Sequence, residues 1–155
     1  MKTILISILG GLVLAISIQL THNSVSVDDN VAKYYNKFIA IADKCETTVN
    51  KDELRVEIQY NITNKPYYAV TYTELNLVVI NYAKFNGLEQ TKQEQTIIHE
   101  LGHALLGLDH NDEDLNLMNT IGFITEQDYV VNYDYYIRKL FEDCKYTGVF
   151  VYGKD

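Results

Sequence analysis

Residues 99–110, HELGHALLGLDH, hold three of the chain's four histidines together with one glutamate. His99 and His103 are four residues apart, so on a helix of 3.6 residues per turn they lie on the same side, one turn apart. Both imidazoles can then bind one tetrahedral metal ion, whereas Glu100, one position round the helix, can reach a water molecule on that ion. The spacing predicts a zinc site in which Glu100 is the general base.

The residues that surround the two histidines favour a helix with one buried face. Apolar side chains give the predicted helix a packing face, at Ile97, Ile98, Leu101, Ala104 and Leu105. Gly102 allows another backbone to come close, and Gly107 can end the helix and turn the chain back toward the metal. The alternative is that the histidines lie on a solvated helix and its end by coincidence.

The stretch HELGHALLGLDH, followed by Met118, resembles the metzincin zinc peptidases and is most similar to the matrixins. Their pattern is H-E-x-x-H-x-x-G-x-x-H, with a methionine turn beneath the metal. The resemblance covers residues 99–118 in detail. It implies that the metal ligands are His99, His103 and His110 and that the general base is Glu100. It also implies that Gly107 turns the chain and that Met118 is the methionine of the turn.

The chain departs from the family pattern by one residue, because three residues instead of two stand between His103 and Gly107. One extra helical residue rotates the rest of the motif by about 100° and raises it by about 1.5 Å. Either a π-bulge in the last turn absorbs the insertion and His110 is the third ligand, or Leu106 takes the place of the glycine and Asp109 is the ligand. The family interval from Gly107 to His110 and the strain of a leucine in a left-handed turn favour His110.

The loop after the motif is expected to shape the substrate pocket. The interval from His110 to Met118 is similar to that of the matrixins, but Asn119-Thr120 lack the proline typical of matrixins and the tyrosine of astacins. We expect residues 120–123 to wall the pocket for the side chain next to the scissile bond. We also expect an extended substrate to pair with residues 75–82, the last predicted strand before the site.

The rest of the chain predicts an α+β domain. Asp28 and Asp29 can cap a first helix, whose apolar periodicity runs from Val31 to about Cys45. A second helix runs from about residue 88 through the motif. Alternation and β-branched or aromatic residues predict three strands, at least two of them antiparallel, at residues 54–60, 67–73 and 75–82.

The last predicted helix comes after the methionine loop. Thr125 can cap it, with Asp128 three residues on in the manner of a capping box. The family resemblance implies the same order: a helix, a small twisted and mostly antiparallel sheet, the active-site helix, the methionine turn and a C-terminal helix. This compact metzincin-like catalytic domain is expected to span residues 21–155.

Residues 1–20 are typical of a secretory signal peptide, with one lysine followed by an apolar run. Cleavage is possible near Ser17, and an uncleaved membrane anchor is the alternative, since the run is almost long enough to span a bilayer. We therefore expect a secreted or exported protein, tethered to a membrane only if this segment is retained. In an exported chain, Cys45 and Cys144 are expected to form a disulfide, the alternative being two buried thiols.

Length and charge limit the function further. A chain of 155 residues fits one domain, and its formal net charge of −8 argues against a nucleic-acid partner, which requires a basic face. We expect a monomeric zinc-dependent endopeptidase that acts on peptide or protein substrates. One alternative is a zinc hydrolase that uses His99 and His103 with a carboxylate, Glu126 or Asp128. Another is a zinc-binding or partner-binding module without turnover.

Overall fold

The computed structural model describes residues 25–112, 114–120 and 122–154, and the backbone of residues 6–8 and 12–14. It shows an α+β protein, as the sequence predicts. The elements are, in chain order, β1 (Ile6–Ile8), β2 (Leu12–Leu14), β3 (Ser26–Val27), α1 (Ala32–Lys44), β4 (Arg55–Gln59), β5 (Ala69–Tyr72), β6 (Leu77–Asn81), α2 (Tyr82–Phe85), α3 (Gln90–Leu106), α4 (Glu126–Val131) and α5 (Tyr133–Leu140).

The predicted signal peptide lies mostly outside the described residues. Within it the structure describes only β1 and β2, which pair antiparallel. No helix among the described residues is long and apolar enough to cross a membrane.

The central sheet has four strands in the order β3-β4-β6-β5. Strand β4 is parallel to both β3 and β6, and only β5 and β6 are antiparallel, so the prediction of a mostly antiparallel sheet is wrong. The physical reason lies in the connections. A short turn at residues 73–76 makes β5 and β6 an antiparallel pair. Strand β5 lies at the sheet edge, and β6 lies between β5 and β4. In this position β6 is antiparallel to β5 and parallel to β4.

The first helix begins later than predicted. Val31 is its N-cap residue, and no side-chain hydrogen bond caps the helix there, so the predicted capping by Asp28 and Asp29 is wrong. The backbone N–H of Asp28 is held by Val56 on β4, and its carboxylate accepts hydrogen bonds from Asn30. Asp28 thus closes the turn between β3 and α1 instead of the helix end.

A disulfide joins the end of α1 to the segment after α5. Cys45 and Cys144 are bonded, with Cα atoms 4.3 Å apart and 99 residues of sequence separation. This confirms the predicted pairing. In the chain-entropy description, closing so long a loop stabilises the fold by about 4 kcal/mol.

Helix α3 lies at the centre of the molecule and contacts β5, β6, α1 and α4. Its packing face carries Ile97, Ile98 and Leu101, which have no exposed surface. Thr125 accepts a hydrogen bond from the N–H of Asp128, as predicted, but the helix that begins there is divided into α4 and α5. Because α3 is packed against the sheet and against α1 and α4, its histidines have a fixed scaffold.

Candidate metal centre

The end of α3 accommodates the extra residue of the motif in its last turn. Gly107 has a left-handed backbone with φ of +66°, and its N–H donates to the carbonyl of Gly102. That bond spans five residues, as in a π-turn, whereas an α-helical bond spans four. The N–H of Leu108 reaches the same carbonyl at 3.2 Å. Leu105 and Leu106 remain in α3, and the wide turn after them directs the chain back toward the helix.

Three imidazole rings converge near this turn, two from α3 and one from the segment that follows it. The Nε2 atom of His99 lies 3.1 Å from that of His103 and 3.2 Å from that of His110. The Nε2 atoms of His103 and His110 are also 3.2 Å apart. These three histidines lie close enough to bind one metal ion.

Two of the rings are held by backbone carbonyls. Nδ1 of His99 lies 2.7 Å from the carbonyl oxygen of Leu117, and Nδ1 of His103 lies 2.5 Å from that of Leu108. A carbonyl oxygen only accepts, so each contact requires a proton on Nδ1, and in the neutral ring Nε2 then keeps its lone pair. Burial lowers the pKa of His99 to about 4, which keeps this ring neutral at physiological pH.

The carboxylates considered as third ligands lie elsewhere. Asp109 is exposed and lines a different, smaller cleft behind the methionine loop. Asp128 accepts hydrogen bonds from Tyr136 and Asn132. Neither Glu126 nor Asp128 lines the pocket that holds the histidines. Among these candidates, only His110 is brought to the first two histidines.

Glu100 lies in the same pocket and is buried, with 8% of its surface exposed. Its Oε2 atom is 2.6 Å from the hydroxyl of Thr71 on β5, and the same hydroxyl lies 3.0 Å from the backbone carbonyl of Glu100. Burial raises the pKa of the Glu100 carboxyl, although the contact with Thr71 opposes the rise. No local pattern in the sequence indicates Thr71, because it belongs to a strand far from the motif.

Met118 is buried, and its side chain lies against Gly102 of α3, the residue before His103. Its sulfur atom would be only 2.7 Å from a Cβ atom placed on Gly102. The sequence predicts that Gly102 allows close approach of a backbone, but the group that approaches is this side chain. Glycine is therefore needed here so that the Met118 side chain can pack closely against α3.

The loop between His110 and Met118 is held by an asparagine that lies outside the metzincin pattern. Asn116 donates to the carbonyls of Asn111 and Asp114, and its Oδ1 accepts from the N–H of Met118. The N–H of Asn111 also donates to the carbonyl of Met118, at 3.0 Å. The closed loop fixes the Leu117 carbonyl that orients His99.

A second buried amide holds the segment after this loop. Gln95 donates to the carbonyl of Ile124 at 3.0 Å and accepts from its N–H at 2.9 Å. Gln95 lies four residues before His99 on the same face of α3, and this spacing could have indicated from the sequence that its side chain lies near the site. These two bonds hold the segment that ends at Ile124 against α3.

The pocket in front of the histidines has a volume of about 430 Å³. Thr120 and residues 122–123 line one side, as predicted, and β5 lines the other with Ala69, Val70 and Thr71. The expectation that residues 75–82 pair with substrate is wrong, because β6 is hydrogen-bonded to strands on both sides. The strand with an open edge at the pocket is β5.

Comparisons of the chain with protein-family models, with curated protein sequences and with solved structures found no match. The geometry of the site is therefore the basis for a functional assignment. The resemblance to the metzincins stays a prediction that rests on residues 99–118.

Proposed function

We propose that this protein is a metzincin-like, zinc-dependent endopeptidase, with His99, His103 and His110 as ligands and Glu100 as the general base. The observation that carries the proposal is the convergence of three Nε2 atoms, 3.1–3.2 Å apart, in a pocket that also contains a buried carboxylate. Gly107 and Met118 serve this centre as the turn and the packing residue beneath it.

Zinc fits the donor set in ligand type, number and spacing. Three imidazoles with one open position are a common catalytic zinc arrangement, and Zn–N bonds of 2.0–2.1 Å in a tetrahedron require nitrogens about 3.3 Å apart. With Nδ1 of each ring facing a carbonyl oxygen, neutral His99 and His103 both carry a lone pair on Nε2, and two lone pairs cannot hydrogen-bond to each other at 3.1 Å. A shared cation satisfies both, and the carbonyl contacts at Nδ1 are those that orient zinc-binding histidines.

The chain supplies the proton transfers of peptide hydrolysis. When bound, zinc would lower the pKa of a water molecule and polarise the substrate carbonyl. Glu100 accepts the proton of the attacking water and donates it to the leaving amine. Burial raises the pKa of Glu100, which suits a group that must take and return one proton near neutral pH.

The pocket favours an extended peptide as substrate. Strand β5 has a free edge beside Glu100, and a peptide strand can pair with such an edge. Leu117 and Phe123 give the opposite wall apolar surface for the side chain next to the scissile bond. We propose that the protein acts as an exported monomer, at a membrane only if residues 1–20 are retained.

The test compares zinc-loaded wild-type protein with Glu100→Gln on a fluorescein-labelled unfolded protein, with product masses as a second readout. Glu100→Gln should keep one equivalent of zinc and lose turnover by at least about 10²-fold, because the proton acceptor is removed. The matched control is Glu57→Gln, since Glu57 is partly exposed on β4, and it should cleave like the wild type. Cleavage by Glu100→Gln at the wild-type rate would contradict the proposal.

Zinc affinity distinguishes the remaining readings. His110→Ala should weaken zinc binding by at least about 10-fold, whereas Asp109→Ala should not change it. Unchanged affinity in His110→Ala would favour a hydrolase with another third ligand. Fully zinc-loaded wild-type protein that cleaves no peptide would favour a non-catalytic zinc-binding module.

A further inference from the structure

The carboxylate of Glu100 is held by β5, the strand that packs against α3 and lines the same pocket. The hydroxyl of Thr71 donates to Oε2 at 2.6 Å, a short contact typical of a hydroxyl bonded to a carboxylate. Both groups are partly shielded from bulk water, since Glu100 is buried and Thr71 is half-buried. A short hydrogen bond in such surroundings restricts the rotation of the carboxylate.

Thr71 also belongs to the edge strand that faces the cleft. The N–H of Asn81 donates to the carbonyl of Tyr68 at 2.8 Å, which makes these two residues a hydrogen-bonded pair of the antiparallel ladder. Because such pairs alternate along the strand, the backbone groups of Ala69 and Thr71 point away from β6, toward the open edge. One residue therefore lies on the edge offered to a peptide and contacts the base.

We propose that Thr71 is a positioning residue, whose hydroxyl holds the Glu100 carboxylate in the orientation that proton transfer requires. This inference rests on the proposed function. The hydroxyl occupies Oε2, so Oε1 is the oxygen that takes the proton of the attacking water. A peptide that pairs with β5 therefore lies beside Glu100, and a residue of the same strand, Thr71, sets the orientation of that base.

The test uses Thr71→Val, which keeps the shape of the side chain and removes the hydroxyl, and Thr71→Ser, which restores the hydroxyl. Thr71→Val should lower kcat by about 10- to 100-fold through misplacement of the base, while KM and zinc content stay within about 2-fold of the wild type. Thr71→Ser should recover kcat to within about 3-fold. Thr73→Val, an exposed position two residues along the chain, is the matched control and should behave like the wild type.

A readout without turnover separates this inference from the proposed function. The 13C resonance of the Glu100 carboxyl in zinc-loaded protein should shift or broaden in Thr71→Val and return in Thr71→Ser, with the histidine resonances unchanged. An unshifted carboxyl resonance, a wild-type kcat in Thr71→Val, or failure of serine to rescue would each overturn the role of Thr71. Wild-type protein that cleaves nothing would overturn the peptidase proposal instead, and the resonance would still decide whether Thr71 holds the carboxylate.

Discussion

Helix α3 carries two buried glutamates with opposite surroundings. Glu94 lies 3.2 Å from the ammonium group of Lys37 and accepts a hydrogen bond from the hydroxyl of Tyr129. The Lys37 ammonium also lies over the rings of Tyr133 and Tyr152, at 4.8 and 4.9 Å from their centres. Glu100, six residues later, contacts the neutral hydroxyl of Thr71 and opens onto the pocket.

The difference separates a stabilising carboxylate from a reactive one. A buried charge that is paired and hydrogen-bonded has its desolvation offset, and removal of its partner is costly. A buried carboxylate whose hydrogen-bond partner is a neutral hydroxyl keeps part of that cost, and burial accordingly raises the pKa of the Glu100 carboxyl. Glu94, in the first half of α3, thus holds the helix in place, and Glu100, in the second half, performs the proposed chemistry.

The largest effect is expected from Glu94→Gln. The ammonium of Lys37, whose side chain is 8% exposed, would lose the negative charge of Glu94 that lies 3.2 Å away. We expect a loss of about 3–5 kcal/mol in the free energy of unfolding, measured by urea denaturation. Glu57→Gln, whose ion pair is largely exposed, should lose less than about 1 kcal/mol. A loss that small in Glu94→Gln would show that the buried pair does not anchor α3.

Gln95→Ala should have the next largest effect, because it leaves the N–H and carbonyl of Ile124 without their side-chain partner. Unsatisfied buried groups of this kind cost about 1–3 kcal/mol, so we expect a loss of about 2 kcal/mol. The wall at residues 122–123 should also loosen, and the preference for the side chain next to the scissile bond should broaden. Peptide-library cleavage measures the second effect, and an unchanged preference would restrict Gln95 to stability.

Gly102→Ala tests the packing beneath the metal centre. A Cβ atom there would meet the Met118 sulfur at 2.7 Å, and the flexible methionine must move. We expect a cost of about 1 kcal/mol in stability, at the lower end for overpacked cores, and a reduced zinc affinity. The companion variant Gly102→Ala/Met118→Ala should regain zinc affinity, and its failure to do so would place the strain elsewhere.

The smallest stability effect is expected from Glu100→Gln, with the opposite sign to that of Glu94→Gln. Burial raises the pKa of the Glu100 carboxyl because it penalises the charged form, so a neutral amide at this position should stabilise the metal-free fold. The melting temperature of the chelator-treated variant should therefore lie slightly above that of the wild type. A decrease would indicate that the negative charge of Glu100 has a stabilising partner in the folded protein.

Much of the local structure could be predicted from short patterns. The apolar periodicity around His99 defines α3, and Gly107 ends it in a left-handed turn. Thr125 caps α4, and the two cysteines pair. The wrong predictions concern residues whose position depends on a distant segment. Asp28 does not cap α1 because its backbone is hydrogen-bonded to β4. The sheet is mixed, with β6 inside it, because of the order in which its strands pair.

The sequence by itself determined that His99 and His103 face the same way, because helical geometry depends only on residues a few positions apart. Within the motif, it also reduced the candidates for a third ligand to two neighbours, Asp109 and His110. Only the tertiary structure decided between them, since the wide turn at Gly107 and the closed loop around Asn116 together aim His110 at the other rings. The same holds for Thr71 and Lys37, whose partners on α3 are 29 and 57 residues away. Contacts over such distances depend on how whole elements pack.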